Sequence, residues 1–130
     1  MAALDDPAPP PHVKRLLLCS GKVAHELLDF RRKHANSDTV IIRIEQLYPF
    51  PERILSNLFT RYPDAADIRW VQEEPGNMGA WNYIRPRIKE ILPSIKSVRY
   101  IGRMPSASPA TGSQRMHLAE QEMLIQQAFE

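Results

Sequence analysis

The chain has 130 residues, of which 43% are apolar and 25% are charged, a composition that suits one compact domain rather than a disordered tail. Its 17 basic and 15 acidic residues give a formal net charge of +2, which is too balanced to predict nucleic-acid binding. No stretch approaches the roughly 18 to 20 apolar residues of a membrane span, and the start lacks the regions of a signal peptide. We therefore expect a soluble protein without a nucleic-acid or membrane partner.

The first 12 residues are predicted to be a proline-rich leader. Four of the 12 prolines lie between Asp5 and His12, and proline fixes φ and removes a backbone donor. We expect an extended linker without a core of its own, which enters a single domain over residues 13–130.

Within that domain, apolar runs typical of strands alternate with segments that have apolar residues at helical spacing. The predicted strands are 14–19, 39–44, 67–71 and 97–101, and the predicted helices are 23–34, 51–62, 81–91 and 114–129. The segment 102–112, rich in Pro, Ser and Ala, is predicted to be a loop. Such alternation favours a three-layer α/β/α fold, with a mostly parallel sheet of four to five strands and helices on both faces.

The residues Ser20, Gly21 and Lys22 follow the first predicted strand and open the first helix. Free backbone N–H groups and the charge of Lys22 suit an anion there. The motif lacks the spacing of a phosphate loop, however, so a serine cap and a tight turn are favoured over an anion site. Cys19, the single cysteine, cannot form an internal disulfide, which weakly favours a reducing, intracellular environment.

Two arginines are candidates for binding an anion. Arg43 lies in an otherwise apolar strand, where a guanidinium must reach a carboxylate, a ligand anion or solvent. Glu45 is two residues further on and on the same face, so a structural ion pair and an anion site are equally favoured. Arg103 follows the last predicted strand, and two arginines at strand carboxyl ends are able to converge on one phosphate.

Paired carboxylates, Glu73 and Glu74, end the third predicted strand, at the edge where open α/β sheets place ligand-contacting groups. Neighbouring strand residues point to opposite faces, so the two do not form an acid/base pair, and a solvated or subunit-facing role is favoured. For the nearby aromatic residues Tyr48 and Trp81, packing is favoured over a role as exposed anchors.

The sequence contains no recognisable active site. The histidines at positions 12, 25, 34 and 117 lie on separate segments without paired metal-ligand spacing. We find no serine elbow, no Cys–His pair of defined spacing and no Gly-rich cofactor loop. We therefore expect this chain to contain no catalytic residue, no metal site and no cofactor site.

Four segments together resemble the C-terminal domain of 2-oxoglutarate dehydrogenase E1, a thiamine-diphosphate-dependent enzyme with a transketolase-like C-terminal domain. They are Cys19-Ser-Gly-Lys22, Arg43-Ile-Glu-Gln-Leu-Tyr-Pro-Phe-Pro51, Gln72-Glu-Glu-Pro-Gly-Asn-Met-Gly-Ala-Trp81, and Tyr100-Ile-Gly-Arg103 followed by Ser106-Ala-Ser-Pro-Ala-Thr-Gly112. The α/β pattern alone fits many transketolase-like domains, whereas the order and combination of these segments are specific to that E1 group.

The resemblance implies the last domain of a long homodimeric enzyme of the citric acid cycle, which decarboxylates 2-oxoglutarate and passes the succinyl group to the lipoyl arm of E2. The family's thiamine diphosphate and magnesium motif lies in upstream domains that this sequence lacks, so we expect the isolated chain to be inactive. The implied partners are the upstream E1 domains, the second E1 subunit and E2. The implied location is the cytoplasm in a bacterium or the mitochondrial matrix in a eukaryote.

In some family members this domain contributes to an allosteric site for acetyl-CoA or a nucleotide such as AMP. Arg43 and Arg103 match family motifs and are the first candidates for contacting such an anionic effector, followed by Lys22 and Gln46. The interface motif consists of Glu73, Glu74, Asn77, Gly79 and Trp81. Two alternatives stay open, namely a free-standing effector-binding module and a dimerisation module whose 73–81 loop meets a partner surface.

Overall fold

The computed structural model of the protein describes residues 3–34, 38–103 and 114–130, in which strands and helices alternate. The strands are β1 (Ala3–Leu4), β2 (Arg15–Cys19), β3 (Thr39–Ile44), β4 (Asp67–Pro75) and β5 (Ser97–Arg103). The helices are α1 (Val23–Lys33), α2 (Glu52–Arg61), α3 (Trp81–Ile91) and α4 (Gln114–Ala128). All eight predicted elements are therefore present, and the predicted loop at 102–112 lies mostly outside the described residues.

The strands form one sheet in the order β1-β3-β2-β4-β5. The last four strands in that order are parallel neighbours, and β1 is antiparallel to β3. Parallel neighbours need crossover connections, which the helices supply. The predicted mostly parallel sheet is confirmed. Because the four parallel strands end on the same side, we call that side the carboxyl edge.

The sheet separates two apolar cores, so the predicted three-layer arrangement is confirmed. On one face, strand residues such as Leu16, Ile42 and Trp70 pack with α2 and α3; the helices contribute Leu55, Leu58, Phe59, Ile84 and Ile88. On the other face, Leu17 and Ile41 pack with α1 and α4; those helices contribute Val23, Ala24, Leu27, Leu124, Ile125 and Ala128. Strands that are covered on both faces need apolar residues at successive positions, which explains the unbroken run at 16–19.

The leader packs on the domain, which its composition did not predict. Ala3–Leu4 pairs with the outer edge of β3, with Ala3 opposite Ile44. The buried carboxylate of Asp6 accepts a hydrogen bond from the backbone N–H of Ile41 at 2.9 Å and pairs with Arg31, whose Nη2 lies 2.9 Å from Asp6 Oδ1. The domain boundary at residue 12 stays a prediction, but residues 3–6 contribute to the same sheet and core.

The turn after β2 differs from the prediction in one respect. Gly21 has a φ of 79°, a left-handed conformation that favours glycine, so the expected tight strand–helix turn is confirmed. The expected serine cap is wrong, because Lys22 occupies the N-cap position of α1 and makes no side-chain capping hydrogen bond. The backbone N–H of Ala24, in the first turn of α1, donates instead to the carbonyl oxygen of Gly21 at 3.4 Å.

Candidate functional site at the carboxyl edge

The carboxyl edge collects the residues that the sequence singled out. Each lies at the end of a parallel strand, in the loop that follows it, or at the start of the next helix; they are Lys22, Arg43, Gln46, Glu73, Glu74, Asn77, Gly79, Trp81 and Arg103. The remaining part of the family motif, 106–112, lies outside the described residues. One edge of the sheet therefore carries both the interface motif and the proposed effector contacts.

Gln72, which the sequence interpretation placed in the motif but assigned no role, organises the loop between β4 and α3. Its buried amide Nε2 donates to three carbonyl oxygens, those of Glu74 at 3.0 Å, Pro75 at 3.0 Å and Met78 at 2.8 Å. Its Oε1 accepts from the indole N–H of Trp70 and from the backbone N–H of Trp81, at 2.8 and 3.2 Å. A single buried side chain thus satisfies five polar groups and holds the loop in one conformation.

Two glycines allow this loop to close. Gly79 has a φ of 71°, which a side chain would strain. Gly102 on β5 packs so closely that a Cβ there would lie 2.3 Å from the hydroxyl of Tyr100 and 2.9 Å from the carbonyl oxygen of Gln72. That hydroxyl has one proton to share between the carbonyl oxygens of Arg103 at 2.6 Å and Glu74 at 3.1 Å, and this contact joins β4 and β5 in addition to their ladder.

The two aromatic candidates have different surroundings. Trp81 is half-buried, packs against the core and lies 5.7 Å from the ring of Tyr100, as favoured. Tyr48 is 67% exposed, although its ring lies 4.4 Å from that of Tyr83, tilted by 42°. The favoured packing role therefore holds for Trp81, whereas Tyr48 presents most of its ring to solvent.

Arg43 makes the structural ion pair that the sequence allowed. Its Nη2 donates to Glu45 Oε1 at 2.6 Å, and its Nη1 lies 3.3 Å from His25 Nε2 on α1. The side chain keeps 30% of its surface exposed. Lys22 is exposed, and within the described part of the chain its side chain makes no hydrogen bond or ion pair; Gln46 is also exposed and donates to the carbonyl oxygen of Tyr48 at 2.9 Å. On this side of the edge, Lys22 is therefore an exposed cation beside the ion pair of Arg43 and Glu45.

Arg103 lies beneath α4, with 16% of its side chain exposed. Its Nη1 donates to the carbonyl oxygen of Glu73 at 3.2 Å, and its Nη2 donates to Gln121 Oε1 at 2.9 Å. Its Nε lies 3.3 Å from Glu120 Oε2 without forming a hydrogen bond to it. Gln121 Nε2 in turn donates to the carboxylates of Glu26 and Glu73, at 3.0 and 2.9 Å. Arg103 is therefore the centre of a network that joins β4, β5, α1 and α4.

The two arginines share a face of the sheet but not a contact point. Arg43 touches α1 and Arg103 touches α4, so both guanidinium groups lie on the face that these helices cover. Since β2 and β4 lie between β3 and β5, three strand spacings of about 4.8 Å separate β3 from β5 by roughly 14 Å. Arg103 also lies two residues beyond Ile101, the residue in register with Arg43, so the two backbone positions are more than about 14 Å apart. An anion that contacts both must either be extended or draw the side chains from their present partners.

Both the fold and the motif segments agree with a known protein family. A family model described as 2-oxoglutarate dehydrogenase C-terminal matches residues 2–129. The chain belongs to this family.

Curated relatives of this 2-oxoglutarate dehydrogenase C-terminal domain bear the name 2-oxoglutarate dehydrogenase E1 component. The protein from Shouchella clausii (strain KSM-K16) is 46% identical over 122 residues, which are 92% of this chain and 13% of the relative. The protein from Geobacillus sp. (strain WCH70) is 47% identical over 118 residues, 90% of this chain and 12% of the relative. The protein from Azotobacter vinelandii is 43% identical over 127 residues, 95% of this chain and 14% of the relative. The chain thus spans about one eighth of the length of these relatives, and the resemblance inferred from the motifs is confirmed.

The chemistry available in this family domain is limited. Within residues 3–34, 38–103 and 114–130, no three His, Cys, Asp or Glu side chains lie close enough to hold a metal ion. Burial raises the pKa of the Cys19 thiol to about 12, an effect that the charge of Arg43 only partly opposes. That thiol is therefore protonated near neutral pH and is not a nucleophile. In the same described ranges, no helix is long and apolar enough to cross a membrane.

A buried arginine that the sequence interpretation missed binds the end of α4. Arg69 on β4 is 2% exposed; its Nη1 donates to the carbonyl oxygens of Gln127 and Ala128, and its Nη2 to that of Glu130, at 2.8 to 3.1 Å. Asp67 accepts from the Nε of Arg69 at 3.1 Å. These are the carbonyls at a helix C-terminus, which lack intrahelical partners. A charged residue inside an apolar strand was the available signal, the same one that drew attention to Arg43.

Proposed function

We propose that the chain is the C-terminal domain of a 2-oxoglutarate dehydrogenase E1 component and that it supports assembly of that enzyme without catalysing on its own. The match over residues 2–129 carries this proposal. The whole enzyme would decarboxylate 2-oxoglutarate and transfer the succinyl group to the lipoyl arm of E2. Upstream domains would bind its thiamine diphosphate and Mg²⁺. Those domains and this one would together stabilise the homodimer.

The use of the motif residues supports a structural rather than a catalytic contribution. The hydrogen-bonding groups of Gln72 are all engaged within the domain, and Glu73 contacts Gln121 of α4. Glu74 lies on the other side of the strand, with its Oε2 3.0 Å from the position of a Cβ on Gly79. The carboxylates therefore do not act as a pair, and the buried thiol is protonated.

Exposed side chains at the carboxyl edge support contact with another part of the enzyme. Tyr48 and Met78, from the loops after β3 and β4, are 67% and 58% exposed. Exposed large apolar side chains gathered at one edge are typical of interaction sites. We therefore assign these two loops to contact with upstream E1 domains or the second E1 subunit.

A chimera tests the assembly role directly. This chain would replace the matching segment of the Geobacillus E1 component, with the same protein truncated before that segment as the control. We expect the chimera to fold and to regain 2-oxoglutarate decarboxylation, measured as release of labelled CO₂ with added thiamine diphosphate, whereas the truncated control does not. A folded, dimeric but inactive chimera would contradict the proposal, and so would turnover by the isolated chain.

The same edge supports a second role, binding of an anionic allosteric effector of the acetyl-CoA or AMP type. Arg43 and Arg103 lie on one face, and the exposed Lys22 adds a cation beside Arg43 on the side of β2 and β3. Because the backbone positions of the two arginines are more than about 14 Å apart, a ligand with separated phosphates is suited to both, whereas a single phosphate reaches both only if the side chains leave their present partners. The geometry therefore favours acetyl-CoA over AMP.

Calorimetric titration of acetyl-CoA and of AMP into the chain distinguishes these ligands. We expect acetyl-CoA to bind and its affinity to fall in both Arg43→Ala and Arg103→Ala, with Arg53→Ala, an exposed arginine of α2, as the matched control. Each lost charge-assisted phosphate contact should weaken binding by about tenfold. If neither ligand binds a folded sample, the effector role is wrong, and the assembly role stands or falls with the chimera.

A further inference from the structure

The leader crosses the edge of the sheet in a defined direction. β1 runs antiparallel to β3, with Ala3 opposite Ile44, the last residue of β3 at the carboxyl edge. Three residues later, the carboxylate of Asp6 accepts a hydrogen bond from the backbone N–H of Ile41, nearer the start of β3. The polypeptide therefore enters the domain at the carboxyl edge and runs toward the opposite side of the sheet, which we call the amino edge.

Two successive carboxylates fasten the leader to both faces of the sheet. Successive residues of an extended chain point to opposite faces. Asp5 accepts a hydrogen bond from the hydroxyl of Tyr62 at 2.9 Å and pairs with Arg61, both at the end of α2. Asp6 pairs with Arg31, in the last turn of α1, at 2.9 Å from its Nη2. Because α1 and α2 cover opposite faces, the leader is held from both sides, and its direction of entry is fixed.

The direction of entry determines which partner is near the carboxyl edge. This chain spans 12 to 14% of the E1 relatives, and the family model that it matches is described as C-terminal, so most of each relative precedes this domain. A domain that is joined to the leader has a much higher effective concentration at the entry point than a separate subunit has. The entry point therefore favours the upstream part of the same polypeptide.

An exposed aromatic side chain lies in the loop that begins at the entry point. This loop follows Ile44 and contains Tyr48, which is 67% exposed. The ring of Tyr48 lies 4.4 Å from that of Tyr83, whose hydroxyl donates to the carbonyl oxygen of Leu47 at 3.1 Å. The side chain of Gln46 donates to the carbonyl oxygen of Tyr48 at 2.9 Å. An aromatic ring that is already held in place loses little entropy on contact, so it is suited to anchor an interface.

We infer that the upstream part of the same polypeptide, rather than the second subunit, covers the loop 45–50 and the ring of Tyr48. This inference rests on the proposed assembly role and names the partner and the surface. The leader sets the position of the upstream domain, and Tyr48 anchors the contact. Ile95 provides the contrast, because it is 82% exposed but precedes β5, at the amino edge.

Photo-cross-linking in the chimera with the Geobacillus E1 component identifies the partner. Tyr48→p-benzoylphenylalanine keeps an aromatic ring at the surface, and Ile95→p-benzoylphenylalanine is the matched control at a more exposed position. Irradiation of the Tyr48 variant should give a product with the mass of one chain on a denaturing gel, in which mass spectrometry finds an upstream peptide joined to position 48. The Ile95 variant should give no cross-link to an upstream peptide.

Hydroxyl-radical footprinting gives a second readout without altering the sequence. Oxidation of Tyr48 should fall by at least about fivefold from the isolated chain to the folded chimera, whereas that of Ile95 should stay the same. A Tyr48 cross-link at the mass of two chains, or equal oxidation of Tyr48 in both proteins, would overturn the inference, while turnover by the chimera would keep the assembly role. If the chimera is dimeric but inactive, the assembly role falls, and the mass of the cross-linked product still decides between the two partners.

Discussion

The two halves of α4 lie on the same face of one sheet but are held by different interactions. The second half buries Leu124, Ile125 and Ala128, and Arg69 binds its terminal carbonyls from inside β4. The first half is mostly exposed, and at the carboxyl edge Arg103 binds the carbonyl oxygen of His117 and the side chain of Gln121. Both halves use an arginine, so the arginine alone does not determine how firmly each is attached.

The difference lies in what surrounds each guanidinium. Arg69 is 2% exposed and its partners include three backbone carbonyls at the end of α4, so replacing the guanidinium with water or a ligand at this buried position is costly. Arg103 lies at the edge, and its partners on α4 are mainly the side chains of Glu120 and Gln121, which solvent is able to satisfy once they move. A buried arginine bound to main chain makes a permanent anchor, whereas an edge arginine bound to side chains makes an exchangeable one.

The largest expected effect is on the permanent anchor. Arg69→Met keeps an unbranched apolar stem but removes the donors to the carbonyls of α4 and one donor to the carboxylate of Asp67, which Arg15 still contacts. We expect a loss of about 4 kcal/mol in the free energy of unfolding, measured by urea denaturation. Arg99→Met is the control, because Arg99 is 59% exposed and 3.9 Å from Asp67; it should cost less than about 1 kcal/mol. Equal losses in the two variants would contradict the proposed anchor.

A second substitution tests whether the loop beside Arg103 is rigid. Gln72→Met removes the amide that satisfies three carbonyl oxygens and the Trp70 indole, and we expect a loss of about 2 kcal/mol. The fluorescence of Trp70 and Trp81 should change as well, since both contact Gln72. Gln46→Met, at an exposed glutamine with one hydrogen bond to Tyr48, should leave stability within about 0.5 kcal/mol. An equally small change in Gln72→Met would show that the loop does not depend on this side chain.

Backbone conformation in the same loop gives a smaller effect. Gly79→Ala places a Cβ at a φ of 71° and 3.0 Å from Glu74 Oε2, so we expect a loss of about 1 kcal/mol, measured by thermal unfolding. Gly76→Ala is the matched control, because a Cβ there meets the Tyr100 ring at an ordinary 3.5 Å. A stability change that is the same at both positions would argue against the left-handed conformation at Gly79.

The smallest expected effect is a dependence on pH at the anchor. Partial burial raises the pKa of Asp67, but hydrogen bonds and charge from Arg69 and Arg15 outweigh it and hold that pKa below its usual value. The resulting stability is fully present above the unfolded-state pKa of about 4 and is lost as the pH falls through the lower folded-state pKa. Urea midpoints should therefore differ between the unaltered chain and Asp67→Asn at pH 6, and the difference should narrow as the pH falls below about 4. A difference that stays constant over this range would rule out the linkage.

Sequence patterns predicted the fold well because each element has a strong local signal. The apolar runs at 16–19 and 39–44 must be covered on both faces. The segment between them is long enough to form the crossover helix that two parallel strands need. The leader was less predictable, since β1 has two residues and the partners of Asp6 are Arg31 and the backbone of Ile41, which lie far away in the sequence.

The candidate site was predictable in position but not in detail. Arg43, Glu73 and Arg103 lie near the ends of predicted strands. Because parallel strands end on the same side of a sheet, the sequence predicted that all three lie at one edge. Distances between strands that are not sequential depend on the order β3-β2-β4-β5, which the alternating pattern leaves open. The central role of Gln72 was hidden for a similar reason, because its carbonyl partners become neighbours only when the loop closes.

Hydrogen exchange along α4 in the unliganded chain tests the contrast between its two halves most directly. If the first half is held by exchangeable side-chain contacts, amides in 118–121 should exchange at least about 100-fold faster than those in 124–128, which should require near-global unfolding. Equal protection along the whole helix would show that α4 is one rigid element and would contradict the distinction between a permanent and an exchangeable anchor.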